Sequence, residues 1–156
     1  MENSAKSLQD TYAPKGICFG CGCLNSKGLQ LKSYVDNNSI HASFLPDTHH
    51  EAFPGVLNGG IIGSVLDCHS NWAAAYFLMK EQSLSSTPCT VTADYSVKLH
   101  RPTPTTEKIS VFAKLDRIDG NKAWIDAHMS IDEIKYASCK GLFVAVGEDH
   151  PAYHRW

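Results

Sequence analysis

The fold is decided by residues Pro54 to Ala75, which read PGVLNGGIIGSVLDCHSNWAAA. After the Pro-Gly turn, apolar residues recur at spacings of three and four, a period that predicts a helix of roughly 20 residues. The residues that carry this period are Ile61, Ile62, Val65, Leu66, Trp72, Ala73, Tyr76 and Phe77. Because small or apolar residues also cover the other sides, we expect more than one neighbour to bury this helix.

Segments that alternate like β-strands lie on both sides of the helix. Residues 29–35 and 40–44 alternate around Asp36-Asn37-Asn38, which predicts a hairpin, and residues 46–54 form a polar loop. Four more alternating segments follow Pro88, at 91–99, 109–115, 123–131 and 134–146. The pattern predicts an α+β fold in which a curved antiparallel sheet of about five to six strands wraps around one long central helix.

A single layer of this kind leaves a sheet edge and part of one face unprotected, which favours pairing with another copy of the chain. We therefore predict a homodimer, with pairing of dimers into a homotetramer as an open alternative.

Composition limits the classes of function. The chain has 156 residues, a formal charge of −2 and 43% hydrophobic residues, which is enough for one domain. We assign residues 17–148 to this domain, 1–16 to an N-terminal segment and 149–156 to a C-terminal tail. No window concentrates basic residues, so neither nucleic acid nor a membrane surface is expected as a partner. The start of the chain does not resemble a signal peptide, and we predict a cytoplasmic protein.

A polar stripe runs along the apolar helix. Gly60, Ser64, Asp67 and Asn71 follow one another at steps of four, three and four, and therefore share one face. A carboxylate on such a helix must be hydrogen-bonded, exposed in a cleft or protonated, because burying it unpaired costs several kcal/mol. Asp67 is thus either a residue that meets solvent or an interface, or a general base or nucleophile. His69 points roughly 200° away and does not form a dyad with it.

The turn before the helix adds a second feature. The first-turn amides of Asn58-Gly59-Gly60 lack intrahelical acceptors and can hold a developing oxyanion. The alternative is that Asn58 caps the helix and that the glycines relieve crowding.

The segment at 54–75 resembles the central helix of the hotdog-fold acyl-CoA thioesterases, in particular their PaaI-like branch. Two further segments are similar to that branch: CFGCGCLNSKGLQL at residues 18–31 and DYSVKLHRPTP at residues 94–104. The resemblance covers roughly residues 17–105 and implies a hotdog fold and the hydrolysis of acyl-CoA thioesters to free acid and CoA.

The resemblance also implies roles for individual residues. Asp67 matches the acidic residue that activates water or attacks the thioester, while Gly59 and Gly60 match the glycines whose amides polarise the carbonyl. Thr92 matches a residue that binds the attacking water from the neighbouring subunit, and Arg101 lies near the path of CoA. We add Ser64 and Asn71, on the Asp67 face, as substrate-binding residues. No cofactor is implied other than CoA as part of the substrate.

Asn58 departs from the family pattern, in which a histidine opens the helix. An amide cannot donate and accept protons in a titrating cycle, so catalysis would rest on Asp67 and the helix-terminus amides. Two alternatives follow: a non-hydrolytic protein that binds acyl-CoA or an aromatic ligand, and, ranked below it, an enoyl-thioester hydratase or dehydratase.

The six cysteines raise the question of a metal. Cys18, Cys21 and Cys23 form C-x2-C-x-C, but zinc needs about four ligands, and the fourth would have to be His41, His49 or His50. We predict a reduced, partly buried turn without metal. The other three cysteines, Cys68, Cys89 and Cys139, are interpreted as small apolar residues. Cys68 is disfavoured as a nucleophile because no base is held opposite it.

Overall fold

A computed structural model describes residues 5–153. In chain order its elements are α1 (Leu8–Tyr12), β1 (Ser33–Asp36), β2 (Ser39–Phe44), β3 (Glu51–Phe53), β4 (Val56–Leu57), α2 (Gly59–Glu81), β5 (Thr90–Leu99), β6 (Ile109–Asp119), β7 (Lys122–Ile131) and β8 (Ile134–Ala145). Six strands form an antiparallel sheet in the order β1-β2-β6-β7-β8-β5. The sheet packs on α2, so the predicted architecture is confirmed.

Helix α2 is 23 residues long and begins where the sequence provides a cap. The Asn58 side chain accepts hydrogen bonds from the amides of Gly60 and Ile61, which satisfies two of the donors that a helix start leaves free. Val65, Leu66 and Ala74 are fully buried, and strands β5 to β8 all contact the helix. The prediction of a helix buried by several neighbours is confirmed.

The inner face of the sheet follows the period of two. Along β6 and β7 every second residue is buried against α2, which makes this layer the centre of the hydrophobic core. The inward residues of β6, β7 and β8 are Ile109, Val111, Ala113, Ala123, Ile125, Ala127, Met129, Ile131, Ala137, Cys139 and Phe143.

The first hairpin is shorter than the alternation predicts. Strand β1 begins only at Ser33, because Gln30 has a left-handed backbone (φ 50°) that interrupts extended structure. The amides of Leu29 and Leu31 instead donate to the carbonyls of Phe19 and Gly20. Residues 16–31 therefore form a flap that lies against α2.

The polar loop at 46–54 contains more structure than expected. Residues Thr48–His50 form a single 3-10 turn capped by Asp47, and β3 then pairs with β4 around Pro54-Gly55. Gly55 has φ +80°, a conformation that glycine adopts without strain.

The segment before residue 17 packs onto the domain through α1. Leu8 is buried in the core, and the buried Gln9 side chain donates to Ser33 Oγ and accepts from the Ser33 amide. No helix among residues 5–153 combines the length and the apolarity needed to cross a membrane.

Candidate active site

Asp67 is hydrogen-bonded across to the neighbouring strand. Its Oδ1 accepts a hydrogen bond of 2.7 Å from Thr92 Oγ1, which joins the middle of α2 to the start of β5. The register of β5 against β8 shifts between Thr92 and Asp94, a bulge of the kind that re-aims side chains beside functional sites. Among the described residues none donates to Asp67 Oδ2, so this oxygen is available to a ligand or water.

The charge of Asp67 is adjusted by its surroundings. Burial raises the pKa of the Asp67 carboxyl above its ordinary value, the Thr92 hydrogen bond opposes this rise, and negative charge on Cys18 adds to it. A carboxylate with a raised pKa is a stronger base than a solvated one.

A cleft of about 160 Å³ opens beside Asp67. Apart from Asp67, its wall is largely apolar or sulfur-bearing, and it lies between α2 and the start of the flap. The residues that line it are Ala13, Gly16, Ile17, Cys18, Cys21, Gly22, Asp67, Cys68, Asn71 and Trp72. Of the three aromatic residues on α2, Trp72 reaches the cleft, while Tyr76 and Phe77 pack against the core.

Two further residues of the polar stripe are held by backbone groups. Asn71 Nδ2 donates to the Thr90 carbonyl at 3.3 Å, whereas the buried Asn71 Oδ1 has no hydrogen-bond partner within residues 5–153. Ser64 Oγ donates to the Gly60 carbonyl, one turn earlier in the helix. Asn71 therefore lines the cleft and carries a buried acceptor without a partner, whereas Ser64 does not line the cleft.

Within one chain, the first residues of α2 lie far from Asp67. Eight residues separate Gly59 from Asp67, which is about 12 Å along the helix axis at 1.5 Å per residue. The Gly60 amide is engaged by Asn58 Oδ1 at 2.7 Å, while none of the described residues accepts a hydrogen bond from the Gly59 amide. Asn58 thus acts as a cap, and Gly59 provides the unpaired donor.

Three of the candidate residues on α2 meet the edge strand β5, namely Gly59, Asp67 and Asn71. A side chain added at Gly59 would touch Leu99, one added at Gly63 would approach the Tyr95 hydroxyl, and Asp67 bonds Thr92. The resemblance suggested that Thr92 approaches from a neighbouring subunit; in the structure it contacts Asp67 of its own chain.

Arg101 lies beyond the end of β5 and is exposed, with its guanidinium 5.6 Å from the centre of the Tyr136 ring. It does not line the cleft at Asp67.

His69 faces away from Asp67, as its helical position indicates. It is fully buried, with Nε2 3.0 Å from the Ile40 carbonyl and Nδ1 2.9 Å from Ser33 Oγ. Since a carbonyl only accepts, Nε2 carries the proton and Nδ1 accepts from the serine hydroxyl. Burial lowers the pKa of His69 to about 4, so the ring is neutral at pH 7 and serves as a structural link.

Three cysteines meet at the wall of the cleft. The Sγ atoms of Cys18, Cys21 and Cys68 all lie within 4.8 Å of one another, and Trp72 Nε1 donates to Cys21 Sγ at 3.3 Å. Hydrogen bonds with Cys21 and then Cys68 lower the pKa of the Cys18 thiol, whereas the contact with Cys18 raises the pKa of Cys21 and of Cys68. The arrangement therefore favours ionisation of Cys18 over that of the other two thiols.

No local pattern in the sequence indicates this cluster. The candidate partners of the C-x2-C turn, His41, His49 and His50, do not belong to the group that the described residues form. Cys23 is also separate, since its sulfur lies near Lys32 and Asp10. Cys68 was interpreted as a small apolar residue, because a separation of 50 residues leaves no local signal of contact.

A search of protein-family models and one of curated proteins each gave no match. Solved structures do match. A thioesterase superfamily protein from Shewanella loihica PV-4 superposes with a TM-score of 0.69 at 25% identity, over 89% of this chain and 99% of that one. The E. coli PaaI protein from the phenylacetic acid degradation operon has a TM-score of 0.64 at 13% identity, over 76% and 81%.

A phenylacetic acid degradation-related protein from Ralstonia eutropha JMP134 gives a TM-score of 0.63 at 16% identity, over 75% of this chain and 86% of that one. The chain has the hotdog fold, and its structural neighbours include thioesterase superfamily proteins. The resemblance to PaaI-like proteins is confirmed at the level of the fold.

Proposed function

We propose that the protein hydrolyses acyl-CoA thioesters and that Asp67 is the general base. The observation that carries the proposal is the half-buried Asp67 carboxylate, pinned through Oδ1 by Thr92 and free at Oδ2, beside a cleft with apolar walls. The hotdog fold and its thioesterase-named neighbours support this choice of chemistry.

In the proposed reaction, Asp67 Oδ2 takes a proton from a water molecule while the water oxygen attacks the thioester carbonyl carbon. The carbonyl oxygen becomes an oxyanion that accepts a hydrogen bond from a backbone amide. The carbon–sulfur bond then breaks, and the CoA thiolate leaves with the proton that Asp67 held. Direct attack by the Asp67 carboxylate, through an anhydride that water then cleaves, is the alternative role.

The amide comes from a second copy of the chain. Gly59 of the same chain lies about 12 Å from Asp67 along the helix, too far for both to contact one carbonyl. The edge strand β5 has no partner on its outer side among the described residues, and it exposes Tyr95 and Leu99. Antiparallel pairing of two β5 strands centred near Tyr95 would bring Thr92 of one chain opposite the Leu99 end of the other, where Gly59 lies.

The test is release of thiol from a panel of short, long and aromatic acyl-CoAs. Asp67→Asn should lower turnover at least about 100-fold while circular dichroism stays unchanged. Asp116→Asn, which removes an exposed carboxylate on β6, is the matched control and should retain activity. Full activity in Asp67→Asn would disprove the mechanism.

The second candidate is a protein that binds acyl-CoA without cleaving it. It is favoured by one observation: the residue that opens α2 is Asn58, which is committed to capping and withholds the Gly60 amide from a ligand. Saturable binding of an acyl-CoA by the wild-type protein without CoA release would support this candidate over hydrolysis.

A further inference from the structure

We propose that Cys18, Cys21 and Cys68 form a binding site for a zinc-class cation on the wall of the cleft. The inference goes beyond the proposed hydrolase function and departs from the sequence-based prediction that the cysteines bind no metal. It rests on the distances between the three sulfurs, on the packing of the turn that carries Cys18 and Cys21, and on the hydrogen bond that Trp72 donates to Cys21.

The sulfur separations fit one metal ion. At a zinc–sulfur distance of about 2.3 Å, tetrahedral coordination places sulfurs about 3.8 Å apart. Cys18 Sγ and Cys68 Sγ are 3.7 Å apart, and all three sulfurs fall within 4.8 Å of one another. Bringing Cys21 Sγ to the same separation from both other sulfurs requires movements of no more than about 1 Å, which side-chain rotation supplies.

Two glycines beside the cysteines allow the C-x2-C turn to lie close to helix α2. A side chain at Gly20 would overlap Cys68 Sγ, and one at Gly22 would overlap the backbone of Cys18. Glycine at both positions therefore lets the C-x2-C turn close tightly over α2.

The groups around the cluster provide a hydrogen bond to one thiolate and space for a further ligand. Trp72 Nε1 donates to Cys21 Sγ, an outer hydrogen bond of the kind that orients a metal ligand. Soft thiolates select zinc-class ions over magnesium or calcium. Because all three cysteines line the cleft, the fourth ligand would be water or a small anion from the cleft. Each bound sulfur is a thiolate, so binding releases to solvent the protons that the free thiols carry.

The experiment uses the full-length protein, reduced, treated with a chelator and then titrated with Cd²⁺ as an optical probe. The expected result is sulfur-to-cadmium charge-transfer absorption that saturates at one equivalent per chain and is displaced by Zn²⁺. Absence of this absorption, or its growth without saturation, would overturn the proposal.

Substitutions distinguish a metal site formed by these three sulfurs from nonspecific metal binding by any thiol of the protein. Cys18→Ser and Cys68→Ser should each weaken Cd²⁺ affinity by more than about 100-fold. Cys23→Ser is the matched control, because Cys23 belongs to the same C-x2-C-x-C run but contacts Lys32 and Asp10 instead; its affinity should stay within about threefold of wild type. If Cys68→Ser does not fold, the exposed Cys18 carries the test.

Trp72→Phe should weaken binding about tenfold by removing the hydrogen bond to Cys21. Equal losses in Cys23→Ser and Cys18→Ser, or full affinity in Cys68→Ser, would contradict a site made by these three sulfurs. None of these readouts depends on thioester hydrolysis, so failure of the metal site and failure of the proposed function are distinguishable.

Discussion

Thr92 Oγ1 donates a 2.7 Å hydrogen bond to Asp67 Oδ1, and this contact fixes a carboxylate of the central helix against the edge strand of the sheet. The hydroxyl holds one oxygen, while the other has no hydrogen-bond donor among the described residues. It also opposes the effect of burial on the pKa of Asp67, so it favours the ionised form of the carboxyl in a partly dry environment.

Thr92→Val should reduce turnover about tenfold, because a hydrogen bond to a charged group contributes about 1.5–3 kcal/mol and also sets the carboxylate's orientation. Thr92→Ser keeps the hydroxyl and should stay near wild type. The measurement is kcat for thiol release at saturating acyl-CoA. Equal activity in the valine and serine variants would show that the hydroxyl has no role.

Gly59→Pro should lower kcat about 100-fold by deleting the backbone N–H assigned to the oxyanion. Proline is tolerated at the first position of a helix, and Asn58, with φ −63° and ψ 135°, already has the backbone that precedes proline. Gly59→Ala keeps the amide and is the control, since its added carbon meets only Leu99, at 3.4 Å. Wild-type kcat in the proline variant would remove Gly59 from the mechanism.

Mixing Asp67→Asn chains with Gly59→Pro chains tests whether one active site takes residues from two chains. In a random mixture of Asp67→Asn and Gly59→Pro chains, half of the dimers are mixed, and each mixed dimer has one intact site if Asp67 and Gly59 come from different chains. Activity should then recover to about a quarter of wild type. No recovery in dimers shown to exchange chains, or a stable monomer at micromolar concentration by sedimentation velocity, would contradict the paired-edge arrangement.

His69→Leu should destabilise the protein by about 2–4 kcal/mol, because the Ser33 hydroxyl loses its acceptor and the Ile40 carbonyl loses a side-chain donor in the core. His49→Leu, at a side chain that is 69% exposed, should change stability by less than about 0.5 kcal/mol. Urea denaturation measures both. An unchanged free energy of unfolding in His69→Leu would refute the role of His69 as a structural link.

Gly20→Ala should destabilise the fold by about 1–3 kcal/mol, since the added carbon overlaps Cys68 Sγ and forces the flap away from α2. The control is Gly147→Ala, where an added carbon meets nothing within 4 Å. The difference between the two midpoints of thermal unfolding is the quantity to compare, and no difference would mean that the flap adjusts freely.

Much of the fold could be predicted because its signals are local. The spacing of Ile61, Val65 and Leu66 has the period of a helix, and the strands after Pro88 have a period of two, so each element is visible in a short window. The hairpin was predicted too long because the left-handed backbone at Gln30 ends the alternation, and it occurs where the flap pairs with itself between residues ten or eleven positions apart.

The candidate site was predictable in part for the same reason. Asp67 stands out because a carboxylate is unusual on an apolar helix, and Asn58 stands out as a cap. The availability of the amides was not predictable, since the sequence does not say that the Asn58 side chain occupies the Gly60 N–H and leaves the Gly59 N–H without a partner.

The sequence by itself determined the central helix, the alternating strands and the position of Asp67, because each follows from the covalent order of residues over a few turns or pleats. Only the tertiary structure decided which distant groups meet. Thr92 reaches Asp67 across 25 positions, and Cys68 reaches Cys18 across 50. Such contacts depend on how the sheet curves around the helix and on how the flap closes over it, and no local period in the sequence encodes that geometry.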